Sequence, residues 1–108
     1  MALTVGTPLT PIASNVVKSA APNIQTGATY TVLTTDFLVV ANRASAMIIT
    51  LPAATGTNKW YYIKNINTGE VTVEGDGADT IDGELNQALG QWDCVTVMDY
   101  AANAWIIV

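Results

Sequence analysis

From Thr29 onward, turn-forming residues interrupt the chain about every ten positions, and the runs between them are short and alternate apolar with polar side chains. A chain punctuated so often has no room for ordinary helices, and no stretch shows a helical period. Tyr30 and Val32 alternate with Thr29 and Thr31, and Thr34-Thr35-Asp36 makes a turn. Phe37-Leu38-Val39-Val40 is apolar on both faces, as in a strand buried on both sides or set against another subunit. Asn42 to Ser45 is the next turn. Met47, Ile49 and Leu51 then alternate up to Pro52, which has no backbone donor to continue a ladder. Leu85, Gln87 and Leu89 read as a short strand and Gly90-Gln91 as a turn. Val95 and Val97 alternate with Cys94, Thr96 and Met98, residues 99–104 read as a loop, and Trp105 to Val108 as a last strand. Seven or so such strands predict an all-β chain, a single small antiparallel β-sandwich or barrel.

The densest signal lies between Trp60 and Gly83. Two runs rich in aromatic and β-branched residues, Trp60–Ile66 and Glu70–Glu74, flank Asn67-Thr68-Gly69. This spacing predicts a β-hairpin, with Gly69 taking the left-handed conformation of a bulged turn. Val71 and Val73 present one apolar face in the second arm. The Gly/Asp-rich run that follows reads as a loop, with Ile81 as an apolar anchor between turn formers.

The first residues are of another kind. Residues 1–25 carry Pro8, Pro11 and Pro22 and only one charge, Lys18, yet also Leu3, Val5, Leu9, Ile12, Val16, Val17 and Ile24. The prolines argue against a packed helix or central strand, and the apolar residues against a free polar tail. The reading is an extended N-terminal arm over 1–26, laid on another surface, ahead of a β-domain over 27–108.

The composition narrows the function. Half of the 108 residues are hydrophobic and only 12% are charged, so the chain has the means to build a core and more apolar surface than a monomer of this size should expose. A net charge of −5 without any basic cluster argues against nucleic acid, whose phosphates would be repelled. No apolar run has the length of a membrane span, and no membrane partner is expected. There is no His, the commonest general base and transition-metal ligand. Ser14, Ser19 and Ser45 have no acid–base partner near them in sequence, so no catalytic residue is expected. Gly75, Gly77, Asp79 and Ile81 match alternating positions of the calcium-binding nonapeptide repeat, but in one copy, which supplies half a site. Neither a metal nor any other cofactor is therefore expected, although Asp76, Asp79 and Asp82 could offer oxygens. The single Cys94 reads as a small core residue.

Trp60, Tyr62, Trp92, Tyr100 and Trp105 could line a groove for a sugar or a protein. In the run from Trp60, Trp60 and Tyr62 share one strand face, and Tyr61 and Ile63 the other. Only one of these faces can belong to the domain's own core, which favours a subunit contact for the other.

Several of these runs recur together elsewhere. In order they are Asp36–Val40, Ile49-Thr50-Leu51-Pro52-Ala53-Ala54, Tyr62–Ile66, Val71-Thr72-Val73, Asp79–Gly83, Val95-Thr96-Val97 and Trp105. The succession resembles a small β-module of tailed-bacteriophage virion proteins, found in tail fibres and on heads. That module usually shows Asp-Gly-x-x-Trp before its last strand, whereas Asp99 to Trp105 is longer here and lacks the Gly. A copy that makes up nearly the whole chain is similar to capsid decoration, or cement, proteins. The resemblance implies a non-enzymatic structural protein, a homotrimer on the outer capsid surface of the virion, assembled in the bacterial host cytoplasm. Its partners would be the major capsid protein of a phage head and its own copies. Leu3, Val5, Leu9 and Ile12 are the expected capsid contact, and Phe37, Leu38, Trp60 and Tyr62 the expected subunit contact. The alternatives are a receptor- or glycan-binding module of a tail fibre or head fibre and, more weakly, a baseplate or head–tail connector piece.

Overall fold

The computed structural model describes residues 21–108. Ten strands run in chain order: β1 (Asn23–Gln25), β2 (Thr29–Thr31), β3 (Leu38–Ala41), β4 (Met47–Thr50), β5 (Trp60–Asn65), β6 (Val71–Glu74), β7 (Thr80–Ile81), β8 (Asn86–Leu89), β9 (Cys94–Ala101) and β10 (Ala104–Ile107). Among the described residues there is no helix, so the all-β reading holds.

The antiparallel reading does not hold for the first half. The strands form a six-stranded sheet in the order β1-β3-β5-β9-β10-β7 and a four-stranded sheet in the order β2-β4-β6-β8. Through β6 the chain alternates between the two sheets, and every pairing made by these six strands among themselves is parallel. Each pass through both sheets is one turn of a flattened coil. β8 then pairs antiparallel with β6, and β9 antiparallel with β5. β10 returns along β9, and β7 adds parallel to β10. The sheets are mixed.

The winding replaces the expected hairpin. β5 and β6 belong to different sheets, and β6 pairs instead with β4 and β8. The turn between them is shaped by packing against the corner of the preceding coil. Asn65 is fully buried and donates through Nδ2 to the carbonyls of Gly69 (2.9 Å) and Leu89 (3.0 Å). Asn67 donates to Asn42 Oδ1 at 3.0 Å, stacking one corner on the next. Gly69 donates to the Arg43 carbonyl at 3.0 Å, and a Cβ on it would lie 1.9 Å from the Ser45 carbonyl oxygen. Gly69 is therefore needed for close approach of two backbones. It is not among the glycines of positive φ, which corrects the bulged-turn reading.

The period-2 runs place the core as the sequence indicated. Met47, Ile49, Val71, Val73 and Leu89 of the smaller sheet face Val39, Tyr61, Ile63, Val95, Val97 and Trp105 of the larger one. Ile81 is fully buried, as its anchor role required, but with Thr80 it forms the short strand β7 inside the run read as a loop. The expected loop over 99–104 is also shorter, since β9 continues to Ala101 and β10 begins at Ala104. Asn103, at φ 65°, takes the left-handed conformation that this tight turn needs. Cys94 is exposed, contrary to the core reading. Val95 and Val97 take the inner face of β9, so Cys94, one residue out of phase with them, must point outward.

Candidate interaction surface

The outer faces of the two sheets differ in chemistry. On the smaller sheet the register aligns Thr29, Ile48, Thr72 and Ala88 in one row and Thr31, Thr50, Glu74 and Asn86 in the next. That face is mostly hydroxyl and amide, with Thr50 donating to Glu74 Oε2 at 3.1 Å. On the larger sheet the rows are Ile24, Val40, Lys64 and Cys94, then Leu38, Tyr62 and Thr96, then Trp60, Met98 and Ile106. Lys64 is the only charged residue in these three rows. Alternation explains the pattern: Val39, Ile63, Val95 and Val97 point into the core, so their apolar neighbours in sequence fall on the other face, where Val40 is nonetheless buried.

Phe37, Leu38, Trp60 and Tyr62 come together on this face. The Phe37 and Tyr62 rings lie 4.9 Å apart and tilted by 52°, and Leu38 stands opposite Tyr62 in the register. Trp60 remains 45% exposed, while Tyr61 beside it is buried and packs edge-on against Trp105 at 5.7 Å. Sequence reading missed Ile24, Met98 and Ile106 as members of the face. Ile24 falls within the 1–26 arm expected from the sequence, and the other two can be placed only from the β5–β9–β10 register. The expected capsid contacts Leu3, Val5, Leu9 and Ile12 lie outside the described residues.

The other aromatics are dispersed. Trp105 is buried, and Tyr100 is exposed near the β9–β10 turn. Trp92, also exposed, stands at the β8–β9 turn with φ 73°, a strained value for a bulky residue. Its N–H donates to the Asn65 carbonyl at 2.7 Å, and its own carbonyl accepts from Lys64 Nζ.

Carboxylates build the supports of the surface. Asp99 is buried on the inner side of β9 and accepts from the N–H groups of Thr55 (2.9 Å) and Gly56 (2.7 Å) and from the Thr57 hydroxyl (2.8 Å). These bonds fix the loop that delivers Trp60. Burial alone would push the Asp99 carboxyl up, but the donors of Gly56, Thr55 and Thr57 outweigh it and hold it below the usual carboxylate range. Asp36 is likewise pushed up by burial and brought net down by the Tyr30 hydroxyl at 2.6 Å, the Leu33 N–H, the Asn23 amide and the charge of Lys59. Tyr30 is pushed up to about 12 by burial and by its bond to Asp36. In the Gly75–Gly83 run, Asp79 accepts from the Ala54 N–H at 2.9 Å and Asp82 from the Ile107 N–H at 3.0 Å. Two of the three carboxylates considered for calcium thus hold backbone groups.

Compared with known proteins, the chain matches no family model, no curated protein and no solved structure.

Proposed function

We propose that the chain is a non-enzymatic structural protein of a tailed-phage virion, a decoration protein that binds the assembled head as a trimer and stabilises it by added contacts. The observation that carries this reading is the contrast between the two outer faces. One is a polar threonine-rich surface suited to water, and the other an apolar aromatic surface with a single charge, suited to another protein. The Phe37–Leu38–Trp60–Tyr62 cluster supplies the subunit contact, and the N-terminal residues Leu3, Val5, Leu9 and Ile12 the capsid contact. Stabilisation follows because such a protein binds the assembled shell and not its dissociated subunits.

The face also indicates why a second contact is required. Five strands spaced by about 4.8 Å and four to five residues deep make a flat area of roughly 350–400 Å². A standard protein interface covers about 800 Å² on each partner. The sheet face therefore supplies about half of one side, and loops or the N-terminal segment must supply the rest.

Light scattering tests the oligomer, with a mass of three chains expected and a monomer at micromolar concentration refuting it. Co-sedimentation tests the partner. Purified protein should pellet with empty phage heads. Pelleting with host cells and not with heads would replace this reading by a receptor-binding fibre module.

A further inference from the structure

β1 and β2 end their sheets at the same end of the coil, and among the described residues each is paired on one side only. The hydrogen bonds identify which backbone groups are left over. The Gln25 carbonyl accepts from Asn42, so alternation turns the Ile24 N–H and C=O outward. The Ala28 carbonyl accepts from Ile48, and the Val32 N–H donates to Thr50, so the Thr29 and Thr31 groups also point outward. Both strands are only three residues long, but Asn-Ile-Gln and Thr-Tyr-Thr carry no charge and no proline to block a further strand.

Successive turns of the coil repeat at short offsets. Asn23 pairs with Val39 and Tyr30 with Ile49, then Val39 with Ile63 and Ile49 with Val73, which are offsets of 16, 19, 24 and 24 residues. The 20 residues that precede Ala21 lead directly into β1 and have the length of one such turn. Counted back from Ile24, offsets of 16 to 24 run from Pro8 back to the first residue and take in Leu3-Thr4-Val5, an alternating apolar triplet. Counted back from Tyr30 they take in Leu9 and Ile12.

We propose that this open parallel edge is a strand-addition site for the chain's own N-terminal segment, with Leu3–Val5 pairing beside β1 and Leu9–Ile12 beside β2. Main-chain bonds to Ile24, Thr29 and Thr31 hold the added turn, and Leu3 and Val5, which alternate, extend the core. Pro11 has no N–H, so pairing beside β2 requires its nitrogen on the outer side, where it leaves a gap and the added turn does not template another. The site belongs to the free protein and does not depend on a capsid. A capsid contact made by the same residues would first have to draw the segment off this edge.

Amide hydrogen exchange on the full chain tests it. The Ile24, Thr29 and Thr31 amides should exchange at least about tenfold more slowly than unprotected amides, and equally so after dilution. The double substitution Thr4→Pro and Val5→Pro removes an inward donor whichever of the two faces β1. It should release the Ile24 amide while the Val39, Ile63 and Val73 amides stay slow, which shows that the fold is intact. Unprotected exchange in the unaltered chain overturns the proposal, as does protection that survives the double substitution. Protection that vanishes on dilution assigns the edge to a second copy and overturns it as well.

Discussion

Replacing Asp99 should separate a lost charge from a lost acceptor. In Asp99→Ala, the Thr55 and Gly56 N–H groups lose the carboxylate that accepts from both, whereas the Thr57 hydroxyl can rotate to find another partner. Each part-buried donor that loses this charged acceptor costs about 1–3 kcal/mol, so the substitution should destabilise the fold by about 2–6 kcal/mol. Asp99→Asn keeps one oxygen for the two N–H groups, and its amide can donate to the Thr57 oxygen. It forfeits mainly the charge assistance and should cost about 1–2 kcal/mol. At a urea slope of about 1–2 kcal/mol/M, the Ala variant should unfold at a midpoint lower by about 1 M or more. The pH dependence supplies the second reading. The Asp99 carboxyl is depressed in the folded protein, so its stabilisation is complete above the unfolded value of about 3.9 and is lost as pH falls through the folded value. Asp99→Asn should therefore lose less stability than the unaltered chain between pH 5 and pH 2, a window chosen to bracket that carboxylate range. An Ala variant within about 0.5 kcal/mol of the unaltered chain would show that the loop is held by other contacts.

Gly69→Ala should destabilise by more than about 3 kcal/mol in thermal or urea unfolding, because the added Cβ meets fixed backbone at Ser45. Gly77→Ala, at φ 57° with open space around it, should cost only about 1 kcal/mol and serves as its control. Ultraviolet titration should find one tyrosine ionising near 12, and Asp36→Asn should bring that value down. Cys94, exposed on the apolar face, should react slowly with a thiol reagent in the oligomer and rapidly in Trp60→Asp, if that face is the subunit contact. Equal rates in both would place the contact elsewhere.

Strand positions were legible because alternation is a local property: Met47-Ile49-Leu51 and Val71-Val73 show which side chains are buried without reference to any partner. Strand pairing was not legible on the same grounds. The five residues between Asn65 and Val71 suit a hairpin as well as a crossing to the second sheet, and alternation is satisfied by both. What decides is non-local, since Gly69 must clear the Ser45 backbone and Asn67 must reach Asn42. One sequence signal does carry the winding: Val39 to Ile63 and Ile49 to Val73 repeat at the same offset of 24. The contact cluster was legible for a simpler reason. Trp60 and Tyr62 stand out of phase with the buried Tyr61 and Ile63, so a short strand with bulk on both faces must leave one of them outside.

The apolar face and the open edge share Ile24 but use different parts of it, side chain and main chain, and this gives the two proposals independent consequences. Trp60 and Tyr62 sit on β5, an inner strand of the larger sheet, and act through side chains that point away from the core. Ile24, Thr29 and Thr31 offer main-chain groups at the end of the coil, in the plane of the sheets. A charge at Trp60 should therefore break self-association and leave protection of the edge amides unchanged. Prolines at Thr4 and Val5 should release the Ile24 amide and leave the oligomer intact, provided that the N-terminal segment stays on its own coil. A proline variant that also dissociates would show that the segment crosses between copies. The area missing from the roughly 350–400 Å² sheet face would then be supplied by the exchanged segment itself.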